Sequence, residues 1–165
     1  MSSRVKIAES GLIWLLLSVV SVVLDQWSKH WAVTKLSYAV SEPVLPHLNW
    51  TLLYNHGAAF SFLSDAGGWQ RWFFTALALG VTLWLVAWLA KIKRTLWQEA
   101  LPLSLIISGA VGNVMDRIRF GYVVDFIDVY YQQWHWPAFN IADMAVVSGA
   151  ILLLLSGVLN SESAA

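Results

Sequence analysis

From Trp72 to Ala90 the chain carries no charged side chain at all, and this constrains its fold more than any other feature. A helix crossing about 30 Å of hydrocarbon at about 1.5 Å per residue needs about 20 mostly apolar residues. Three more segments meet that length. The first runs from about Gly11 to Val33 and is apolar through Leu24; the third runs from about Leu96 to Met115, with Pro102 in its first turns, where a missing N–H costs least; the fourth runs from about Asn140 to Leu159. The predicted architecture is therefore an all-α membrane protein with four transmembrane helices in one integral membrane domain covering residues 1–165. Composition agrees: 58% of residues are hydrophobic and 12% charged, against about a quarter charged in soluble domains. Ten basic and ten acidic residues leave no net charge to hold nucleic acid, and the lack of cysteine removes disulfides and thiolate chemistry. Eleven tryptophans suit side chains that sit at bilayer boundaries.

Arg4 and Lys6 ahead of an apolar run could suggest a cleaved leader, but no small-x-small site follows, and Asp25, Gln26, Ser28 and Lys29 are an odd continuation for a discarded segment. An uncleaved first span fits better. Basic residues divide evenly between the two sides, with Arg4, Lys6, Lys91, Lys93 and Arg94 opposite Lys29, Lys35, Arg71, Arg117 and Arg119. The dense cluster of Lys91, Lys93 and Arg94 in one short connection puts both termini in the cytoplasm. The loops from about Thr34 to Arg71 and from Arg117 to Phe139 then lie outside. In the first of these, Leu48, Trp50, Leu52 and Tyr54 alternate with Asn49, Thr51 and Leu53, the period of a strand with one wet face. With a turn at Asn55-His56-Gly57 and a return over Ala58 to Leu63, a small extracytoplasmic β-hairpin is expected against the membrane surface.

Ionisable groups inside spans are costly, and each demands a role. Asp25 and Lys29, four apart with the acid first, form a pair on one helical face and are expected to be structural. Gly109, Asn113, Asp116 and Arg117 share a face of the third span, where Gly109 and Gly112 permit close helix approach. Asp143 lies one turn into the fourth span below Asn140 and should face a cavity; Asp125 sits in the apolar run Val123-Val124-Asp125-Phe126. Topology brings both to one membrane surface. Two carboxylates at a poorly solvated boundary cannot both ionise easily, so one keeps its proton while the other remains a base, the condition for acid–base hydrolysis of a peptide bond. The four histidines show no metal-ligand spacing, Ser108 lacks a nucleophile frame, and nothing calls for a cofactor. An ion or proton path through Asp25, Lys29, Asp116, Arg117 and Asp143 would need polar residues toward the other surface too, where the spans are dry.

Taken together, Asp25-Gln26-Trp27-Ser28-Lys29, Asn55-His56-Gly57-Ala58-Ala59-Phe60, Gly109-Ala110-Val111-Gly112-Asn113-Val114-Met115-Asp116-Arg117, Val123-Val124-Asp125-Phe126 and Phe139-Asn140-Ile141-Ala142-Asp143 resemble, in order, the five signature blocks of the lipoprotein signal peptidases. Ser108 departs from the pattern where many members carry a second glycine. The resemblance implies an aspartic endopeptidase of the bacterial cytoplasmic membrane that removes signal peptides from diacylglyceryl-modified prolipoproteins before the modified cysteine. It further implies Asp125 and Asp143 as the catalytic pair, with Asn55, Gly57, Asn113, Arg117 and Asn140 in supporting roles, and a β-like cradle in the first outer loop. Asp25, Lys29 and Asp116 are then structural polar residues. Prolipoprotein and membrane lipid are the implied partners, with no oligomer required.

Overall fold

The computed structural model describes residues 6–57 and 68–162. Two short 3-10 turns, Ile7–Glu9 and Gly11–Trp14, lead into helix α1 (Leu15–Lys35). Strands β1 (Ser41–Leu45) and β2 (Leu48–Asn55) follow, then helices α2 (Trp69–Leu89) and α3 (Trp97–Phe120), strands β3 (Val123–Tyr131) and β4 (Trp134–His135), and helix α4 (Ile141–Glu162). The chain is thus mostly helical with a small antiparallel sheet in the order β1-β2-β3-β4.

Helix α3 is the centre of the bundle and packs against α1, α2 and α4. Small residues make this possible. A side chain on Gly109 would collide with the carbonyl oxygen of Ala142 and with Val146, and one on Gly112 would lie 2.6 Å from Asp25 Oδ2. Gly149 of α4 meets the carbonyl oxygen of Pro102 in the same way, 2.7 Å from where its Cβ would stand. Outward-facing residues are apolar: Leu16, Val19, Val20 and Val23 on α1, Phe73, Leu77 and Leu83 on α2, Val147, Ile151 and Leu154 on α4 are all exposed. Such surfaces belong against lipid, not water. Among the described residues two helices, Gly11–Lys35 and Trp69–Leu89, are long and apolar enough to cross a membrane, and Ile141–Gly157 forms a shorter apolar helix. Helix α3 has the length but carries Glu99, Asp116, Arg117 and Arg119 in its end turns. It also continues to Phe120, past the expected end near Met115, and stops at Gly121, whose φ of 87° provides the left-handed residue that closes a helix.

The sheet differs from the expected hairpin. The return strand assigned to Ala58–Leu63 lies outside the described residues, and β2 instead pairs with β1 before it and with β3 from the second loop. The turn between β1 and β2 uses His47 at a φ of 70°, and a two-residue turn, Gln132-Gln133, joins β3 to β4. The wet face expected for β2 is also not wet. Asn49 and Thr51 are buried, because Asp128 of β3 lies opposite Asn49 and takes hydrogen bonds from both. On the other face Leu52, Val124 and Phe126 pack against Ala32 of α1 and Leu36 just beyond its end, with Trp31 and Trp50 closing the edge. That contact fixes the sheet on the end of α1.

Candidate active site

Strand alternation places the first carboxylate. Val124 and Phe126 point into the contact with α1, so Asp125 between them points to the opposite face. There it is 2% exposed, directly across from Leu53 of β2. Asn55, at the end of β2, donates from Nδ2 to Asp125 Oδ2 at 3.0 Å and accepts the Gly57 N–H on its own Oδ1 at 2.9 Å. Gly57 holds a φ of 105°, and a side chain on it would lie 2.8 Å from the Phe74 ring, so this position requires glycine.

The second carboxylate comes from the start of α4. Asn140 accepts the Asp143 N–H on Oδ1 at 2.9 Å while Asp143 Oδ2 accepts the Asn140 N–H at 3.2 Å, a reciprocal cap that fixes both side chains at the helix N-terminus. Asn140, fully buried, also donates from Nδ2 to Asp125 Oδ1 at 2.7 Å. One asparagine therefore ties the two aspartates together. Asn113 of α3 completes the ring: its Nδ2 donates to Asp143 Oδ1 at 2.7 Å, and its Oδ1 accepts from Asn140 Nδ2 at 3.3 Å and from Lys29 Nζ at 3.1 Å.

Behind this ring lies a buried ionic network. Lys29 Nζ is 2.9 Å from Asp25 Oδ2 and 2.9 Å from Asp116 Oδ2. Asp25 Oδ1 accepts the Ala142 N–H at 2.9 Å, so it holds the first turn of α4 beside Asp143. Asp116 Oδ2 accepts the Val124 N–H at 3.2 Å and anchors β3 one residue before Asp125. Gln26 adds a bond from Nε2 to Asp116 Oδ1 at 2.8 Å. The three charged residues touch neither Asp125 nor Asp143 by any of these hydrogen bonds and ion pairs; they position the backbones that carry them. Arg117 stands 5.6 Å from the Phe74 ring, within the electrostatic field of Asp143 and Asp125, with its Nε buried and without a hydrogen-bond partner among the described residues.

The surroundings set the protonation of Asp125. Burial is the largest influence and the charge of Asp143 adds to it; together they outweigh the Asn55 and Asn140 hydrogen bonds and push the Asp125 carboxyl up to about 7. A carboxyl poised there can exchange protons at neutral pH. Asp125 opens onto a cavity of about 570 Å³ that also takes in Tyr38, Ser41, Thr51, Tyr54, His56, Asp128, His135 and Trp136. Asp143 is partly exposed but is not part of that lining.

All ten residues singled out in the sequence fall in or next to this assembly. Sequence reasoning missed a second cluster. Asp128, on β3 with Asp125, accepts from Asn49 Nδ2 at 3.1 Å and Thr51 Oγ1 at 3.1 Å on one oxygen and meets His135 Nδ1 at 2.7 Å on the other. Burial alone would raise its carboxyl, but the bonds from His135, Asn49 and Thr51 prevail and hold it below the ordinary range. The pairing of β2 with β3 creates this cluster, and no local spacing in the sequence signals it.

The family model for signal peptidase (SPase) II matches residues 17–159. A lipoprotein signal peptidase of Acinetobacter baumannii (strain AB307-0294) is 60% identical over 145 residues, covering 88% of this chain and 82% of the relative. One from Xanthomonas euvesicatoria pv. vesicatoria (strain 85-10) is 55% identical over 154 residues, 93% of this chain and 90% of the relative. A bacterial membrane enzyme solved by the in meso method at 2.3 Å superposes with a TM-score of 0.80 at 32% identity, covering 99% of this chain and 95% of that one. The chain belongs to the signal peptidase II family.

Proposed function

We propose that Asp125 and Asp143 are the catalytic pair with which this signal peptidase, a protease that removes signal peptides from prolipoproteins, hydrolyses its substrate. The observation that carries this reading is the shared asparagine: Asn140 bonds Asp125, which lines the cavity, through its side chain and Asp143 through its backbone. Two carboxylates joined in this way can act as one acid–base unit, one holding the proton while the other is ionised. The ionised member takes a proton from water as its oxygen attacks the scissile carbonyl carbon, and the protonated member gives its proton to the carbonyl oxygen. The roles are then exchanged. The newly protonated carboxyl delivers its proton to the leaving nitrogen as the C–N bond breaks, and its partner takes one back from the tetrahedral diol, restoring the starting state. Asn55 and Asn113 hold the two carboxylates in place, Gly57 shapes the turn that aims Asn55, and Arg117 offers a cation to the substrate main chain or the developing oxyanion.

The substrate class comes from the family, and the place of the pair suits it. A diacylglyceryl group on the cysteine after the scissile bond would lie in lipid along the apolar outer faces of α1, α2 and α4, which keeps the bond at the depth of Asp125 and Asp143. All four helices cross the bilayer in this reading, as one domain. The end bearing Lys91, Lys93 and Arg94 faces the cytoplasm of a bacterial inner membrane, and the sheet faces outward. The test is incubation of purified protein with a precursor carrying the modified cysteine, and with the same precursor unmodified. Release of the signal peptide from the modified precursor alone is expected; equal cleavage of both, or of neither, would contradict it.

A further inference from the structure

The cavity that opens from Asp125 does not end there. Its far wall is the second polar cluster, in which Asp128 sits on a side chain 6% exposed and His135 on one 49% exposed. A buried carboxylate that has all its bonds supplied by Asn49, Thr51 and a half-open imidazole needs no further partner. The imidazole is different. Its Nδ1 is committed to Asp128, and the ring stacks on Tyr130 at 5.3 Å and 19°, so its orientation is fixed from two sides. His135 lines the cavity and is half exposed, so with Nδ1 engaged Nε2 is the ring nitrogen left for a ligand. In the neutral ring a carboxylate behind Nδ1 sets the tautomer with the proton on Nδ1, which leaves Nε2 as a preorganised acceptor.

We propose that the Asp128–His135 pair is a positioning site for the substrate chain immediately after the modified cysteine, His135 Nε2 accepting a main-chain N–H there. The inference rests on the cleavage reading above. The part of the cavity wall that holds Ser41, Thr51, Asp128 and His135 is polar and suits a substrate main chain. An apolar signal segment would instead lie against the helices. Accepting one main-chain N–H holds an extended peptide in register without reading its side chains. His135 is a positioning residue here, and Asp128 acts through it.

The experiment compares KM and kcat for the full-length protein on two lipid-modified peptides, one continuing several residues past the cysteine and one ending at the cysteine as an amide. With the longer peptide, His135→Ala should raise KM about five-fold, the worth of one hydrogen bond, with kcat within two-fold. His135→Gln, which keeps an acceptor, should recover part of that loss, and Asp128→Asn should match His135→Ala. With the shorter peptide, wild type should show the raised KM already and His135→Ala should add nothing. An unchanged KM for His135→Ala on the longer peptide would overturn the proposal, as would an equal effect on both peptides, the mark of a purely structural role. A wild type that cleaves neither peptide would overturn the cleavage reading itself, and this proposal with it.

Discussion

Replacing Lys29 with methionine removes one positive charge from between two buried negative ones. The Lys29 ammonium lies 2.9 Å from Asp25 and 2.9 Å from Asp116, with the lysine side chain 4% exposed and both carboxylates 1% exposed. It also donates to Asn113 at 3.1 Å. Methionine fills the volume of the aliphatic stem but takes the ammonium away from two buried carboxylates, which keep only neutral donors. Breaking a buried ion pair by removing one member costs about 3–5 kcal/mol. At about 2–4 °C per kcal/mol for a chain of this size, Tm should fall by about 6–20 °C. Thermal unfolding of the purified variant in detergent measures this directly. Adding Asp116→Asn to the same variant removes one orphaned charge and should regain part of the loss, because the two sites share partners and do not behave additively. The reasoning fails if Lys29→Met unfolds within 2 °C of wild type yet cleaves nothing; Lys29 would then belong to the chemistry and not to the scaffold.

Stability should depend on pH through Asp125. Its carboxyl is pushed from 3.8 up to about 7, so the folded protein binds the proton more tightly than the unfolded chain, and stability falls as pH rises across that window. Asp125→Asn should flatten that slope in a Tm series from pH 4 to 8; an unaltered slope would contradict the assignment. Asn140→Ala removes both the cap on α4 and the donor to Asp125, and should lower Tm through a cap worth about 1 kcal/mol while kcat drops about 100-fold from the displaced carboxylates; a normal kcat would remove Asn140 from the site. The chain has no cysteine, so single cysteines at the exposed positions Lys93 and Gln133 report orientation without background. In cells stripped of their outer membrane an impermeant thiol reagent should label position 133 and spare 93, and the reverse pattern would invert the topology.

The helices were legible because a bilayer demands long apolar runs, and such runs leave a local signature. The face shared by Gly109, Asn113, Asp116 and Arg117 could likewise be read from helical spacing, as could the four-residue step from Asp25 to Lys29. The sheet could not. The apolar run around Asp125 gave no reason to pair it with β2, since which strands meet is a long-range matter that alternation alone does not specify. The Gln132-Gln133 turn lacks the usual Asn-Gly or Asp-Gly signal, which hid the β3–β4 hairpin and with it the meeting of His135 and Asp128. For the same reason Asn49 and Thr51, which the period of β2 assigns to water, turned out to be buried against a carboxylate from a strand far along the chain. Asp125 and Asp143 come together in the sequence reading through topology, which places both at one surface, and through the motif resemblance; the asparagine that connects them is visible there as a neighbour of Asp143 but not as a partner of Asp125.

The central claim is that two aspartates act as one acid–base unit, and the measurement that tests it most directly is turnover of a lipid-modified precursor by Asp125→Asn and by Asp143→Asn. Asparagine preserves the shape of each side chain but can neither take a proton from water nor return one, and residues that work as a unit fail when either is lost. Both variants should remain folded by thermal unfolding, should still bind the precursor through its lipid and apolar segment, and should release no signal peptide. Cleavage by either variant near the wild-type rate would contradict the account.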